Sequence, residues 1–168
     1  MFRRKLSPLS RIVFTTVNSL RDTSVLEDCP LIFASRHGEL DLSLKLIDSI
    51  VNVETVSPAG FSMSVHNSIA GLLSIHYKNT EAMTAIAAGQ DTLKMGILEA
   101  SAQLTKSEKV ILCYADNNMP QVYKDFDDEK LYPRCLVLVL EQGIPQKEFQ
   151  FTGNNNCFED IVRKLIQD

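Results

Sequence analysis

The chain contains 168 residues, with 17 lysines and arginines, 21 aspartates and glutamates and a formal net charge of -4. With 45% hydrophobic and 23% charged residues, the composition is that of a globular protein and excludes disorder, collagen and low complexity. A chain of this length buries about 70% of its unfolded surface, so we expect one domain over residues 1–168. The mild acidity argues against nucleic-acid binding, which usually requires a basic face.

The distribution of apolar residues predicts neither a membrane span nor a leader. No apolar run reaches the ~18 residues that cross a bilayer. The N-terminal cluster of Arg3, Arg4 and Lys5 is followed by apolar residues that polar ones interrupt, among them Thr15. We therefore predict no signal peptide and a cytoplasmic protein.

Taken in chain order, the predicted elements alternate between helices and strands. The patterns indicate helix 9–20, strand 30–35, helices 40–51 and 61–77, strand 82–88, helix 93–104, strands 109–114, 134–140 and 147–151, and helix 158–165. The runs 109–114 and 134–140 are almost purely apolar, as in strands that are buried on both faces. The predicted fold class is therefore α/β, with a mixed, mostly parallel sheet covered by helices.

The cysteines form no C-x-x-C motif, and at least one lies in a strongly apolar strand. We expect buried free thiols, with no disulfide, no metal site and no cofactor. The four residues concerned are Cys29, Cys113, Cys135 and Cys157.

Residues 61–77 contain no Asp, Glu, Lys or Arg and are rich in small side chains such as Ser64 and Gly71. A helix without a charged face is buried on most sides, so we expect a central core helix. The alternative is that part of it lies in a subunit interface or lines an apolar tunnel. His66 and His76 are ten residues apart on this predicted helix, which turns them to different faces and excludes a shared metal ion.

Two features raise the alternative hypothesis of an enzyme. His37 follows the predicted strand 30–35, and strand ends often carry function in α/β proteins, although a turn histidine is more commonly structural. The run 60–64, Gly-Phe-Ser-Met-Ser, resembles a G-x-S-x-G nucleophile elbow centred on Ser62. Residues 57–60 before it have a turn pattern, whereas such an elbow needs a strand there. The alternative is a stand-alone acyl hydrolase or transferase that uses Ser62 or His37.

The segment 82–93 predicts a strand that ends at Gly89 and passes almost directly into a helix. Such a bend aims a side chain into the field of unpaired N–H groups, where a cysteine would have a lowered pKa and be a good nucleophile. Here the bend carries Gln90, whose amide forms hydrogen bonds but cannot be acylated. Taken by themselves, Gln90, Asp91 and Thr92 are explained as a helix cap.

Several segments together resemble β-ketoacyl-acyl carrier protein synthases. Residues 67–75, Asn-Ser-Ile-Ala-Gly-Leu-Leu-Ser-Ile, are similar to the family's N-x-x-A-G-x-L-(S/T)-I segment, and the family's upstream Ser-Pro is matched at 57–58. Counting forward from Asn67 at the family's spacing places the nucleophilic cysteine at Gln90. Four segments more closely resemble the short synthase-like chain-length factors of aryl polyene pathways: 3–7, 33–39, 61–67 and 84–89.

This resemblance implies a thiolase-like half fold whose nucleophile is replaced by Gln90. The family's second half supplies the catalytic histidines, and the chain stops at Asp168, so the resemblance implies a catalytically inactive subunit. In this family two subunits pack across a two-fold interface, and each helps to close the acyl tunnel of the other. The implied partner is an active β-ketoacyl synthase in a heterodimer.

The hypothesis is thus a chain-length factor of aryl polyene or polyketide biosynthesis that shapes the acyl tunnel of its partner. It would meet an acyl carrier protein through the complex. Tunnel or interface contacts are assigned by region to Phe61, Met63, Ser64 and Asn67. A basic patch either contacts the acidic carrier or is simply solvated: Arg3, Arg4, Lys5 and Arg11.

Overall fold

The computed structural model of the chain describes residues 6–127, 132–143 and 158–166. The predicted strand 147–151, Cys157 and the basic residues 3–5 lie outside the described residues. The described helices are α1 (Pro8–Val17), α2 (Val25–Asp28), α3 (Leu40–Val51), α4 (Pro58–Ser64), α5 (Ser68–Tyr77), α6 (Thr92–Gln103) and α7 (Phe158–Ile166). The described strands are β1 (Leu31–Ala34), β2 (Met83–Ile86), β3 (Lys109–Asp116) and β4 (Arg134–Glu141).

The described strands form one sheet in the order β2-β1-β3-β4. β1 is parallel to both neighbours, with Phe33 opposite Ala85 of β2 and Cys113 of β3. β4 runs antiparallel to β3. The α/β fold class and the mixed, mostly parallel sheet are therefore confirmed, as are the predicted strands at these four positions.

Helices cover both faces of the sheet. Because alternate residues of each strand point to opposite faces, each strand contributes side chains to two separate cores. Leu31 and Phe33 pack with α1 and α5 in one core, whereas Ile32 and Ala34 pack with α6 and α7 in the other. α6 approaches the sheet closely at Gly96. A Cβ at that position would lie 2.9 Å from the Leu112 Cδ1 atom and 3.2 Å from the Ala34 Cβ atom.

The prediction of one uncharged core helix over residues 61–77 is wrong in two respects. The structure divides it into α4 and α5, because the backbone is extended at Val65 and α5 begins only after Asn67. His66 therefore lies between helices. Burial also differs from the expectation: no side chain of α4 is buried, although Ile69 and Leu73 anchor one side of α5 in the core.

α3 is formed as predicted, but it stands apart from the core. Leucines and isoleucines dominate it, yet none of its residues is buried. α3 packs against α4, and the Ser43 hydroxyl donates to the Ser64 carbonyl oxygen at 3.3 Å. Ile50 and Val51 are 62% and 73% exposed. The two helices form an apolar arm, defined here as residues 40–64.

Every helix within residues 6–127, 132–143 and 158–166 is too short or too polar to cross a bilayer.

Candidate functional site

The bend after β2 is a single 3₁₀ turn, Gly89–Asp91, that leads into α6. Gly89 has a φ of +56°, which favours glycine, and nothing lies within 4 Å of the position that its Cβ would occupy. The Thr92 hydroxyl accepts a hydrogen bond from the Ala88 N–H at 2.9 Å and donates to the Gly89 carbonyl oxygen at 2.7 Å. These bonds hold the turn, and they leave the exposed Gln90 at its apex.

The loop after β1 meets the loop after β3 at the same edge of the sheet. The buried Asp116 carboxylate accepts hydrogen bonds from the Ser35 hydroxyl at 3.0 Å and from the Arg36 N–H at 2.9 Å. His66 Nε2 is 2.7 Å from the Ser35 carbonyl oxygen. Gly38 has a φ of +56°, and a Cβ there would lie 2.9 Å from the His66 ring. His37 therefore lies in a loop whose backbone is held by its neighbours.

Glu39 lies in the same loop and is 4% exposed. Its Oε1 atom accepts hydrogen bonds from the hydroxyls of Ser7, at 2.5 Å, and Ser10, at 2.9 Å. Burial raises the pKa of Glu39, and the two serine hydrogen bonds oppose that shift only partly. Since Ser7 also caps α1, this carboxyl joins the start of α1 to the start of α3.

Ser62 does not have the geometry of an activated nucleophile. It lies inside α4, and its hydroxyl donates to the Pro58 carbonyl oxygen at 3.0 Å. The residues before α4 form a cap in which the Ser57 hydroxyl accepts from the Gly60 N–H, so no strand leads into this segment as an elbow requires. His37 is held in the separate loop after β1.

The described cysteines are free thiols, and none lies at the end of β2. Burial raises the pKa of Cys29. A hydrogen bond with Cys135, together with complete burial, raises the pKa of Cys113 well above that of an ordinary thiol. The same bond lowers the pKa of Cys135, but this thiol lies on β4 and packs against the core that contains α1. The expectation of buried free thiols is thus confirmed for Cys29 and Cys113.

The residues assigned by region to a tunnel or interface lie on α4 and at the start of α5. Phe61 is 62% exposed, Met63 and Ser64 are half-buried, and Asn67 is exposed. Ser64 and Met63 also hold the backbone, because the Ser64 hydroxyl donates to the Phe61 carbonyl and the Met63 carbonyl accepts from the Ser68 hydroxyl. These side chains are therefore available to another molecule mainly at Phe61 and Asn67.

Three residues spaced four apart, beginning at the N-cap of α5, form a stripe on one helical face that is exposed at both ends and half-buried in the middle. The stripe consists of Asn67, Gly71 and Ile75. Ile75 is 74% exposed, and nothing lies within 4 Å of the position that a Cβ of Gly71 would occupy. A neighbouring molecule could therefore approach the α5 backbone closely at Gly71.

β2 forms an edge of the described sheet, with β1 on one side and no described strand on the other. Met83 on this strand is 39% exposed. α5 and α6 pack against β2 from opposite faces, and they carry the exposed residues Ile75 and Leu98. The β2 edge is defined as β2 with these two residues: a strand side without a described neighbour, and one exposed apolar side chain on each of the two helices that cover the strand.

Comparison with known proteins assigns the chain to a family. The family described as "Beta-ketoacyl synthase, N-terminal domain" matches residues 1–164. The chain belongs to this family. No curated protein matches its sequence significantly.

Two solved complexes show the same fold as this β-ketoacyl synthase-family chain. One is the ketosynthase ApeO with its chain length factor ApeC from Xenorhabdus doucetiae, with a TM-score of 0.72 and 30% identity over 83% of this chain and 59% of that one. The other is the ishigamide ketosynthase/chain length factor, with a TM-score of 0.66 and 14% identity over 82% of this chain and 44% of that one. The chain thus spans about half the length of the chains that it matches.

Sequence reasoning missed two features that the structure places beside the family's motifs. Gly71 lies within the Asn67 motif, but only the structure reveals the open space beside it. The exposed edge of β2 could not be distinguished from a central strand, since four residues of alternating exposure give little pattern. Among the described residues, no cluster of three His, Cys, Asp or Glu could hold a metal ion.

Proposed function

We propose that this β-ketoacyl synthase-family chain is a non-catalytic chain-length factor, which pairs with an active β-ketoacyl synthase and shapes its acyl tunnel. The observation that carries the proposal is the exposed Gln90 at the apex of the turn between β2 and α6. The bend has the strand-to-helix geometry that places a nucleophile at a helix start, but its side chain is an amide.

The chemistry of the described side chains supports a role without acyl transfer. Acyl transfer through a covalent intermediate needs a thiolate or an activated hydroxyl, and a carboxamide provides neither. Cys29 and Cys113 have raised pKa values and lie away from the bend, so they stay protonated near neutral pH. The Ser62 hydroxyl is engaged with a backbone carbonyl in α4.

The β2 edge supports a partner of the same architecture. An unpaired strand edge accepts another strand, and helices flanking both faces require a partner whose strand is flanked in the same way. A second subunit with the fold described here would present such an edge. α5 packs against β2, and the open space at Gly71 allows a partner backbone to approach this helix closely.

The apolar arm supports the shaping of a tunnel. Phe61 lies on α4 with 62% of its surface exposed, and the same helix carries the half-buried Met63. If Phe61 forms the end of the partner's acyl tunnel, a chain that grows past it must overpack a closed cavity, which costs about 1–3 kcal/mol or more. Such a penalty is enough to stop elongation after a set number of steps. The resemblance to chain-length factors of aryl polyene pathways suggests that the product is an aryl polyene and that an acyl carrier protein carries the growing chain.

The test is co-expression with an active β-ketoacyl synthase, followed by size-exclusion chromatography with light scattering. The proposal predicts a complex with equal numbers of the two subunits. Within that complex, Phe61→Ala should lengthen the product and Phe61→Trp should shorten it, as measured by mass spectrometry. Phe126→Ala is the matched control, because Phe126 is also exposed, at 73%, but lies in the loop after β3.

Two results would count against the proposal. One is the absence of a complex under conditions in which both chains are folded. The other is turnover of acyl thioesters by the lone chain, with loss of that activity in Ser62→Ala or His37→Ala, which would establish the stand-alone enzyme instead.

A further inference from the structure

The C-terminal helix α7 covers part of the sheet through a small number of well-defined contacts. The Phe158 ring stacks on the Tyr114 ring, with the centroids 5.3 Å apart and the planes at 23°. Ile161 is 1% exposed and packs in the core that contains α6. Among the α7 side chains that the structure describes, Phe158 and Ile161 thus dock the helix on this core.

Arg134 lies beneath α7 and is almost completely enclosed. Its side chain is 4% exposed, and its guanidinium lies between the carboxylates of Asp116, at 3.8 Å, and Glu159, at 3.7 Å. The Phe158 ring centroid is 5.0 Å from the guanidinium carbon. The Tyr132 hydroxyl donates to Glu159 at 2.7 Å. Phe158 and Glu159 of α7 thus cover Arg134 together with the rings of Tyr114 and Tyr132, whose centroids are each 5.6 Å from the guanidinium carbon.

Asp116 connects this arginine to the loop after β1. One carboxylate oxygen lies toward Arg134 and accepts from the Tyr114 hydroxyl at 2.5 Å. The other oxygen accepts from the Ser35 hydroxyl and the Arg36 N–H. A continuous set of polar contacts thus runs from Glu159 on α7 to the loop that carries His37.

We infer that α7 is a docked strap whose release is transmitted through Arg134 and Asp116 to the loop 35–39. The attraction between two buried charges is strong only while water is excluded, and α7 contributes Phe158 and Glu159 to the cover that excludes it. When α7 undocks, water reaches Arg134 and the pull on Asp116 weakens. The hydrogen bonds that hold Ser35 and Arg36 then open more often. This coupling does not depend on the proposed function.

Hydrogen exchange of the full-length chain, read by mass spectrometry with site resolution, tests the coupling. Ile161→Ala weakens docking without changing any charge. It should raise exchange at least several-fold both in α7 and at the Arg36 N–H. Ile50→Ala is the matched control, since Ile50 is 62% exposed on α3, and it should change neither. The Leu31 N–H, bonded to the Ala82 carbonyl at 3.0 Å, reports global unfolding, and its exchange should stay slower than that of α7 and of the Arg36 N–H.

A second reporter uses the absence of tryptophan from the chain. In Phe158→Trp, the emission of the single tryptophan measures docking directly, and adding Ile161→Ala should shift it to the red. In an Asp116→Asn background, Ile161→Ala should no longer raise exchange at Arg36, because the charge interaction is gone.

The inference is overturned if exchange in α7 rises while the Arg36 N–H keeps its original rate, because α7 would then be a cover without coupling. It is also overturned if, in both Ile161→Ala and Phe158→Ala, the amides of α7 exchange no faster than the Leu31 N–H. In that case α7 is an integral part of the core.

Discussion

Gly71 offers the sharpest test of where a partner binds. It lies inside α5, yet no atom is within 4 Å of the position that its Cβ would occupy. Gly96 lies inside α6 and presents the opposite case, with the Leu112 Cδ1 atom at 2.9 Å from the same position. Alanine should therefore stabilise the isolated chain at position 71 and give no such gain at position 96.

The magnitudes follow from the two environments. In a helix interior, alanine is about 1 kcal/mol more favourable than glycine. Gly71→Ala gains this without a clash, so Tm should rise by about 2–4 °C for a chain of this size. Gly96→Ala gains the same helix term but overpacks the sheet contact, which costs about 1–3 kcal/mol, so its Tm should stay level or fall. Thermal unfolding followed by circular dichroism measures both.

The interface is then tested with a larger side chain. Gly71→Leu should fold normally but weaken the complex with the synthase at least tenfold, measured by titration calorimetry, because the leucine fills the space that the partner approaches. Thr15→Leu is the control, since Thr15 is exposed on α1, which packs over β3 and β4. Normal binding by Gly71→Leu, or a lower Tm in Gly71→Ala, would refute the reasoning.

Two further predictions concern the edge strand and the buried carboxyl. Met83→Arg should leave the fold intact but weaken synthase binding at least tenfold, because it places a charge at the β2 edge; Val139→Arg, at 36% exposure on β4, should not. Burial raises the pKa of Glu39, so the folded chain holds this proton more tightly than the unfolded chain does. Its contribution to stability is present below the ordinary glutamate pKa and is lost as the pH rises through the folded value. Glu39→Gln should therefore reduce the loss of unfolding free energy between pH 4 and pH 7, as measured by urea titrations at the two pH values. If the wild type and the variant lose the same free energy over this range, the reasoning is wrong.

The two central strands, β1 and β3, could be predicted from sequence because they are buried on both faces. Runs such as 109–114 have no plausible place outside a covered sheet. The break between α4 and α5 could not be predicted in the same way. Val65 is extended and a new helix begins after Asn67, but the uncharged composition of 61–77 continues across the break. Periodicity alone cannot locate such an interruption when neighbouring residues are all compatible with a helix.

The candidate site was predictable only in part, for a related reason. The bend at Gln90 follows from a run of small residues that ends in Gly89 and is followed by capping residues, all of which are local. The contacts of Asp116 join Ser35, Tyr114 and Arg134, which are distant in sequence. Long-range polar contacts of this kind leave no local pattern, so only the fold reveals them.

The central claim is that this chain shapes the acyl tunnel of its partner and forms no covalent bond with the acyl group. The most direct measurement is intact-mass spectrometry of the purified complex with the synthase after incubation with an acyl-carrier-protein thioester. The account predicts an acyl mass increase on the synthase and none on this chain, in both the wild type and Gln90→Ala. A covalent acyl group on this chain, or the loss of synthase acylation in an assembled Gln90→Ala complex, would contradict it.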